Sequence, residues 1–224
     1  MGLIRTTFSE RIKRTPTIES FRFLPQEKID FIPGQFLQIV FDGKNPQNKE
    51  LNKYLSFSSS PAREYIEVTK RLSESLFSQR LIDLKLEDAV VIKAPLGSCV
   101  FKEDYKKIAF LVGGIGVTPV ISILEYISDK GIRTDVLLLY SNKTEEEIAF
   151  KSELDLWQES NENIKILYRL GHIDKDFLTV QAKDLDQRSI FIFGPPKMVE
   201  AMKNLCLEID CREENIKTES FLGY

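Results

Sequence analysis

The chain has 224 residues, 42% of them hydrophobic and 29% charged, with a formal net charge of −3 at pH 7. This length suits two domains of about 100 residues each, and the near-balanced charge excludes the basic footprint of a nucleic-acid-binding protein. Three cysteines and one histidine exclude a disulfide framework, a His-rich metal site and an iron–sulfur cluster, which needs four thiolates.

Residues 1 to about 100 predict a series of short β-strands. Apolar and polar residues alternate clearly in residues 17–23, and Pro33-Gly34 is typical of the turns between strands. The other strand candidates are 34–41, 54–58, 65–70 and 89–93, with one helical stretch at 75–84. Many short strands with regular turns predict a sandwich or an antiparallel β-barrel.

From about residue 105 the pattern changes to continuous apolar strands separated by helices. The strand candidates are 108–112, 136–140, 164–170 and 190–193. Such an alternation predicts an α/β domain with a parallel sheet that is covered on both faces. We therefore expect an N-terminal antiparallel β-barrel domain in residues 1–102 and a C-terminal α/β domain in residues 103–224.

Two helix starts carry capping signals. Thr118 suits the N-cap position and Pro119 the first helical position, and Gly131 is a stop signal for the same helix. A second helix is predicted to open with a capping box at residues 144–147.

The first parallel strand runs into a glycine-rich turn, GGIGVTP at residues 113–119, and then into a helix. Such a turn offers backbone N–H groups and the positive end of a helix to a ligand, and glycines let phosphates approach closely. The spacing lacks the third glycine of the dinucleotide fingerprint, so nucleotide binding and a plain tight turn both fit.

Two further strand ends are candidate ligand positions. The second parallel strand ends in Ser141-Asn142-Lys143 without the acid that holds a ribose 2′-hydroxyl in NAD-type domains. Either Ser141 and Lys143 meet a 2′-phosphate, which favours NADPH slightly, or Asn142 and Lys143 are ordinary loop residues before Thr144. The last strand ends in Gly194-Pro195, which is either a ligand-facing edge or a strand-to-helix corner.

A run of serines follows Lys53 in the barrel half. Ser56, Ser58 and Ser60 share one strand face that suits a polar ligand, and a lysine just ahead suits a phosphate. Ser78 at a predicted helix N-terminus is a second phosphate candidate. A solvated polar face and a plain helix cap explain the same residues.

Taken in order, these segments resemble the ferredoxin–NADP reductase superfamily, which pairs a flavin-binding antiparallel barrel with a nicotinamide-binding α/β domain. The resemblance covers almost the whole chain. The similar segments are PGQF at 33–36, KYLS at 53–56, SQRL at 78–81, APLG at 94–97, GGIGVTP at 113–119, GPP at 194–196 and ESF at 219–221.

The resemblance implies an oxidoreductase that transfers a hydride from NADH or NADPH to FAD, or to FMN. It implies that Ser56 and Glu219 are the catalytic candidates. The flavin positions that it implies are Lys53, Tyr54, Leu55, Ser56, Thr69, Lys70 and Ser78, with Phe221 or Tyr224 over the other flavin face. The nicotinamide nucleotide positions that it implies are Gly113, Gly114, Gly116, Thr118, Ser141, Lys143, Gly194 and Pro195.

Three departures from the family pattern have consequences. Lys53 replaces an arginine and Leu55 a tyrosine, so bidentate phosphate binding and aromatic stacking are lost and weaker flavin retention is expected. Phe193 replaces a cysteine beside the nicotinamide. A flavin reductase that uses flavin as a substrate, and a non-catalytic regulatory subunit of the same fold, are therefore the alternatives.

The remaining expectations concern partners and location. Since the sequence has no cluster domain, electrons are expected to leave to a separate acceptor protein or small molecule. No run of about 18 apolar residues occurs, and the first residues lack the apolar stretch of a signal peptide. We expect a cytoplasmic protein with no membrane span, no bound metal and no nucleic-acid partner.

Overall fold

The computed structural model describes residues 2–221, which form two compact units. Within that range, the first unit contains residues 2–101 and 118–126, and the second contains the rest. An antiparallel sheet lies in the first unit and a parallel sheet in the second, so the predicted fold class is confirmed. Residues 118–126 therefore group with the first unit, although they follow the domain boundary predicted at residue 102.

The first unit is a six-stranded antiparallel sheet with strand order β4-β3-β6-β1-β2-β5. Its elements are β1 Gly2–Lys13, β2 Ile18–Pro25, β3 Phe36–Val40, β4 Asn52–Ser56, β5 Ile66–Arg71, α1 Leu76–Ile82 and β6 Ala89–Leu96. A bridge between Phe57 and Val68 connects the two outermost strands, β4 and β5. This bridge closes the sheet into a barrel.

Strand alternation builds the barrel core. Phe21 and Phe23 of β2 lie opposite Val68 and Ile66 of β5, and all four side chains are buried. Fully burying a side chain of this size stabilises a fold by about 1.5–3 kcal/mol. The intervening residues of both strands point to the opposite face of the sheet, which is where the polar groups lie.

The second unit is a five-stranded parallel sheet with order β11-β10-β7-β8-β9. Its strands are β7 Lys107–Gly113, β8 Asp135–Asn142, β9 Ile164–Leu170, β10 Ser189–Gly194 and β11 Ile216–Ser220. The remaining helices are α2 Thr118–Lys130, α3 Lys151–Ser160, α4 Lys175–Gln181 and α5 Pro196–Glu208. The carboxyl ends of the parallel strands share one edge of the sheet, the edge at which α/β sheets bind ligands.

Both predicted helix starts are wrong, and the predicted stop is right. A short 3₁₀ turn, Gly114–Val117, runs directly into α2, so Val117 takes the N-cap position and Thr118 is already helical. Thr144 precedes only a 3₁₀ turn, and α3 begins after Phe150, which adopts a left-handed conformation with φ 61°. Gly131 ends α2 in the left-handed conformation, with φ 61°.

Within residues 2–221, no helix is long and apolar enough to cross a bilayer.

Candidate functional site

The predicted flavin positions on β4 divide between its two sides. Side chains alternate along a strand, so Lys53 and Leu55 point to the side opposite to Tyr54. Leu55 packs against the buried core of the barrel. Tyr54 is 61% exposed and meets Phe36 edge-on, with 5.8 Å between the ring centres. The structure therefore separates Tyr54 from Lys53.

Ser56 ends β4 with an uncommitted hydroxyl. The residue is only 6% exposed, and its main chain pairs with Phe36 of β3. Its hydroxyl makes no hydrogen bond to any other residue in the range 2–221. A hydroxyl can donate one hydrogen bond and accept two, so its full capacity remains for a ligand.

Lys70 is a buried ammonium on β5 without an acidic partner among the described residues. It is 6% exposed, and its Nζ donates a hydrogen bond of 3.0 Å to the main-chain oxygen of Arg71. Burial lowers the pKa of Lys70, and the positive charge of Lys53 lowers it further. Two ammonium groups that repel each other in this way fit an anion such as a pyrophosphate.

The Thr69 hydroxyl belongs to a buried hydrogen-bond network on the outer face of the barrel. It lies 2.7 Å from the Ser20 hydroxyl and 2.8 Å from the Ser58 hydroxyl, and Ser58 also bonds to the Glu67 carboxylate at 3.2 Å. Arg14 holds both oxygens of that carboxylate, at 3.1 and 3.2 Å. The hydroxyls of Thr69 and Ser58 thus have partners within the barrel, so the predicted cofactor contact of Thr69 would go through its main chain.

Ser78 sits in a cluster of three serines at the start of α1. Ser75, and not Ser78, is the N-cap residue, because its hydroxyl accepts the Ser78 N–H at 3.3 Å. The Ser78 hydroxyl is fully buried and lies 3.1 Å from Ser75 Oγ and 3.3 Å from Ser73 Oγ. Its predicted phosphate contact would therefore require these three hydroxyls to exchange partners.

Residues of α2 hold the serine segment that follows Ser56. The Ser122 hydroxyl donates to the Ser59 main-chain oxygen at 2.7 Å. The Glu125 carboxylate accepts the Ser60 N–H at 2.5 Å and pairs with Arg63. All of these residues belong to the first unit. Both contacts are made to main-chain atoms of the serine segment, at Ser59 and Ser60.

In the second unit, two glycines lie at the carboxyl ends of adjacent strands. Gly113 ends β7 and Gly194 ends β10. A Cβ atom on Gly113 would lie 2.6 Å from the Met198 sulfur, and one on Gly194 would lie 2.7 Å from it. The flexible Met198 side chain fills the space that the missing Cβ atoms leave, so a ligand at this edge of the sheet would have to displace it.

Gly114 and Gly116 have different physical reasons to be glycine. Gly114 has φ +54°, and a Cβ there would meet nothing within 4 Å, so its backbone faces open space. A Cβ on Gly116 would lie 2.3 Å from the main-chain oxygen of Phe193. Gly116 is thus explained by close packing of the turn against β10, whereas Gly114 leaves room for a ligand.

Three predicted positions lie next to these glycines in the chain. Thr118 is buried in the first turn of α2. Pro195 is exposed and precedes the first helical residue of α5, so the predicted strand-to-helix corner is present. Because Thr118 is enclosed, an exposed backbone at the turn is the feature that best fits nucleotide contact.

The end of β8 supplies polar groups next to the glycine turn. The Ser141 hydroxyl lies 3.5 Å from the position of a Cβ on Gly113, and Lys143 is exposed. Asn142 is buried, and its side-chain amide has no hydrogen-bond partner among the described residues. Buried amides are normally paired, so Asn142 adds an unused donor and acceptor here that the sequence interpretation treated as an ordinary loop residue.

Glu219 and Phe221 lie beside the end of β10. Glu219 pairs with Phe193 across the β10–β11 ladder, and burial raises the pKa of its carboxyl to about 7. The Phe221 ring stacks on Phe193 at 6.4 Å between centres, and its N–H donates to the Gly194 oxygen at 2.9 Å. Phe193, predicted beside the nicotinamide, has a fully buried ring. Tyr224 lies outside the described residues.

Comparison with known proteins finds a matching domain family and solved structures of the same fold. Residues 110–204 match the family described as Oxidoreductase NAD-binding domain. Ferredoxin-NADP+ reductase from Plasmodium falciparum superimposes with a TM-score of 0.84 at 16% identity, over 98% of this chain and 96% of that one. The cytochrome P450 reductase GcoB of Amycolatopsis gives a TM-score of 0.86 at 18% identity, over 98% and 70%.

Residues 110–204 therefore match an oxidoreductase NAD-binding domain, and the chain as a whole has the fold of these two reductases. Among relatives in sequence, NADH-cytochrome b5 reductase 1 of Dictyostelium discoideum is 28% identical over 180 residues, which are 74% of this chain and 63% of that protein. The chain spans about half to two thirds of the length of the first curated relatives that it matches.

Local motifs do not reveal the long-range contacts around the candidate site residues. Glu67 and Arg14 are 53 residues apart in the sequence but share two hydrogen bonds, and Glu125 meets Ser60 across 65 residues. Met198 does lie in a local motif, because it follows the glycine and prolines at the end of β10.

Proposed function

We propose that this chain is an NAD(P)H-dependent flavoprotein reductase. Residues 1–102 hold FAD, or FMN, and residues 103–224 hold NADH or NADPH. The bound nucleotide gives a hydride to the flavin, and the electrons pass to a separate acceptor. The relatives named as reductases of cytochrome b5 and of cytochrome P450 support an acceptor that is a protein.

The buried ammonium of Lys70 is the observation that carries the proposal. A lysine that is nine-tenths buried, that lies near a second lysine and that has no carboxylate partner among residues 2–221 destabilises the fold unless an anion joins it. The flavin pyrophosphate is such an anion. Lys53 and Lys70 would hold it as two point charges.

The second unit offers a complementary place for the nicotinamide nucleotide. The open backbone at Gly114, the glycine pair Gly113 and Gly194 and the amide of Asn142, which has no partner among the described residues, lie at the carboxyl edge of the parallel sheet. Glycines and unused polar groups at this edge are what a dinucleotide requires. Ser141 and Lys143, without a nearby acid in residues 140–143, favour NADPH slightly over NADH.

A bound flavin would supply the ability to accept a hydride and release electrons singly or in pairs. The protein would bind and orient it. The free hydroxyl of Ser56 would hydrogen-bond near the hydride-accepting edge, and Phe221 would cover an aromatic face. Glu219, with a carboxyl pKa near 7, would hold or release a proton at the pH of turnover.

Leu55 favours a second candidate function. The superfamily pattern has a tyrosine here, whereas Leu55 is aliphatic and packs against the barrel core. Without that aromatic stacking, flavin would exchange and would act as a substrate that leaves in reduced form. A cytoplasmic location suits both functions, because Cys99, Cys206 and Cys211 form no disulfide among the described residues.

The visible absorption spectrum of the purified protein tests the proposal, before and after anaerobic addition of NADH or NADPH. A flavin band that bleaches supports the bound-flavin reductase and identifies the preferred donor. No band, with turnover on added FAD or FMN, supports the flavin reductase. No band and no turnover contradicts both and supports a non-catalytic subunit.

A further inference from the structure

The outer face of the barrel contains a cavity that none of the proposed cofactor positions lines. Its volume is about 640 Å³, and residues of β1, β3, β6 and α1 and of the loop after β3 surround it. Cavities of about 300–1,000 Å³ are typical of small-molecule sites. The cavity is therefore the size of a ligand pocket and smaller than a protein docking surface.

Strand register determines the floor of this cavity. Val40 of β3 lies opposite Val91 of β6, and Gln38 lies opposite Lys93, so these four side chains form two adjacent cross-strand pairs on one face. Leu3 of β1 pairs with Lys93 from the other side. The floor is thus apolar at Val40, Val91 and Leu3, with an amide and an ammonium beside it.

Gln38 places a side-chain amide at the cavity. The residue is 9% exposed, and its amide makes no hydrogen bond to any other residue between 2 and 221. Because Gln38 lines the cavity, its amide is available to water or to a molecule inside the cavity.

Two cations border the same cavity. Lys93 and Arg80 both line it, and neither forms an ion pair with an acid among the described residues. The Arg80 guanidinium lies 5.8 Å from the centre of the Phe41 ring, which keeps it over the apolar floor. Asp42, in the loop after β3, forms no ion pair with either of them among the described residues, and its carboxylate accepts hydrogen bonds from the Asn45 N–H and the Asn48 amide.

We propose that this cavity binds a small organic anion with a flat apolar body. Its phosphate or carboxylate lies between Lys93 and Arg80, its apolar part covers Val40 and Val91, and its polar edge bonds to the Gln38 amide. Gln38 and Val40 point outward, whereas Leu37 and Ile39 point into the core. The cavity borders one proposed flavin position, because Gln38 lies opposite Tyr54 of β4, but no proposed flavin position lines it.

Binding of 1-naphthyl phosphate tests the proposal, measured by isothermal calorimetry on the full chain in excess FAD and NADP+. Inorganic phosphate and 1-naphthol supply the charge and the ring separately, and each is expected to bind at least about tenfold more weakly. Equal binding of inorganic phosphate overturns the proposal. So does binding that disappears when FAD and NADP+ are present, because the probe then occupies a nucleotide site.

Matched variants locate the bound probe. Lys93→Gln and Arg80→Gln are each expected to weaken naphthyl phosphate binding by about fivefold to tenfold, since each removes one charge-assisted contact. Lys85→Gln makes the same charge change on an exposed residue outside the cavity and is expected to leave binding unaltered. Undiminished binding in both cavity variants overturns the proposal. The assay needs no flavin reduction, so its result is independent of whether the proposed reductase activity is found.

Discussion

Lys70 illustrates how one residue can weaken a fold and strengthen a site. Its ammonium is buried next to Lys53 and has only a main-chain oxygen as partner among the described residues. A charged group in this position costs free energy in the flavin-free protein. When an anion binds, the ammonium gains a partner, and relief of this cost adds to the binding free energy of the anion.

Replacement of Lys70 by methionine separates these two effects. The pKa of Lys70 is lower in the folded state than in the unfolded state, so the unfolded state binds more protons and wild-type stability rises with pH up to about 10. Lys70→Met is expected to raise the unfolding temperature of the flavin-free protein at pH 7 and to remove this rise. It is also expected to weaken FAD binding by about tenfold.

Thermal unfolding at several pH values and a fluorescence titration with FAD measure these effects. Lys85→Met, which changes an exposed lysine, is the control for both. Unaltered FAD affinity in Lys70→Met would remove this lysine from the flavin site. A lower unfolding temperature would show that the ammonium has an acidic partner in solution.

Glu219 has the opposite charge and a pKa that moves the opposite way. Burial raises the pKa of its carboxyl to about 7, so between about pH 4.3 and 7 the folded state holds the extra proton and stability falls as pH rises. Glu219→Gln is expected to flatten this fall, measured by urea unfolding on either side of the window. In a reductase it is also expected to remove the inflection near pH 7 from the rate profile.

Glu200→Gln removes an exposed carboxyl from α5 and is the control for Glu219. If both variants show the wild-type dependence of stability on pH, Glu219 ionises normally and a proton-transfer role loses its physical basis.

At the scale of elements, the four-residue turn before α2 contains two glycines with different surroundings. Gly116 lies against the Phe193 main chain, and an added methyl group could be accommodated only by moving β10. Gly114 has open space in front of it and a left-handed backbone. The two glycines therefore predict different defects from the same substitution.

Gly116→Ala is expected to destabilise the protein by about 1–3 kcal/mol through overpacking. Gly114→Ala is expected to cost about 1 kcal/mol through its positive φ, while it obstructs the approach of a phosphate and weakens NADP+ binding more than Gly116→Ala does. Urea unfolding and NADP+ titration measure the two quantities. Full NADP+ affinity in Gly114→Ala would leave the turn with a packing role alone.

The sequence predicted those elements whose pattern is local. The predicted strand at 164–170 has the observed bounds of β9, because its mostly apolar run is bounded by the polar residues 161–163 and by Gly171. β11 was not predicted, since a short edge strand with Ile216 as its sole large apolar residue carries little pattern. The α2 cap was wrong because a 3₁₀ turn continues into the helix, and this depends on the packing of Gly116 rather than on capping residues.

The candidate site divides in the same way. Ser56 and Gly114 stand in local motifs, and the structure finds an unused hydroxyl at one and an open backbone at the other. The sequence could not show that the Thr69 hydroxyl bonds to the Ser20 hydroxyl, because the two residues are 49 positions apart in the chain. Whether a polar side chain is available to a ligand depends on partners that only the fold brings to it.

At the scale of the whole molecule, the barrel and the parallel sheet have separate cores. One core contains Phe21, Phe23 and Val68, and the other contains Leu111, Leu139 and Ile192. A ligand that binds one unit stabilises it by mass action, by about 2.7 kcal/mol at a hundredfold excess over its dissociation constant. Each proposed cofactor should therefore leave a distinct pattern of protection.

Amide hydrogen exchange of the full chain tests this division. Excess FAD is expected to slow exchange in β5 and α1 by up to about a hundredfold, with a smaller effect at residues 113–117. Excess NADP+ is expected to protect residues 113–117 and 141–143 first. Inorganic phosphate at the same concentration controls for anion effects. FAD protection at residues 113–117 with none in β5 would contradict the assignment of flavin to the barrel, because Lys70 lies in β5 and would then bind nothing.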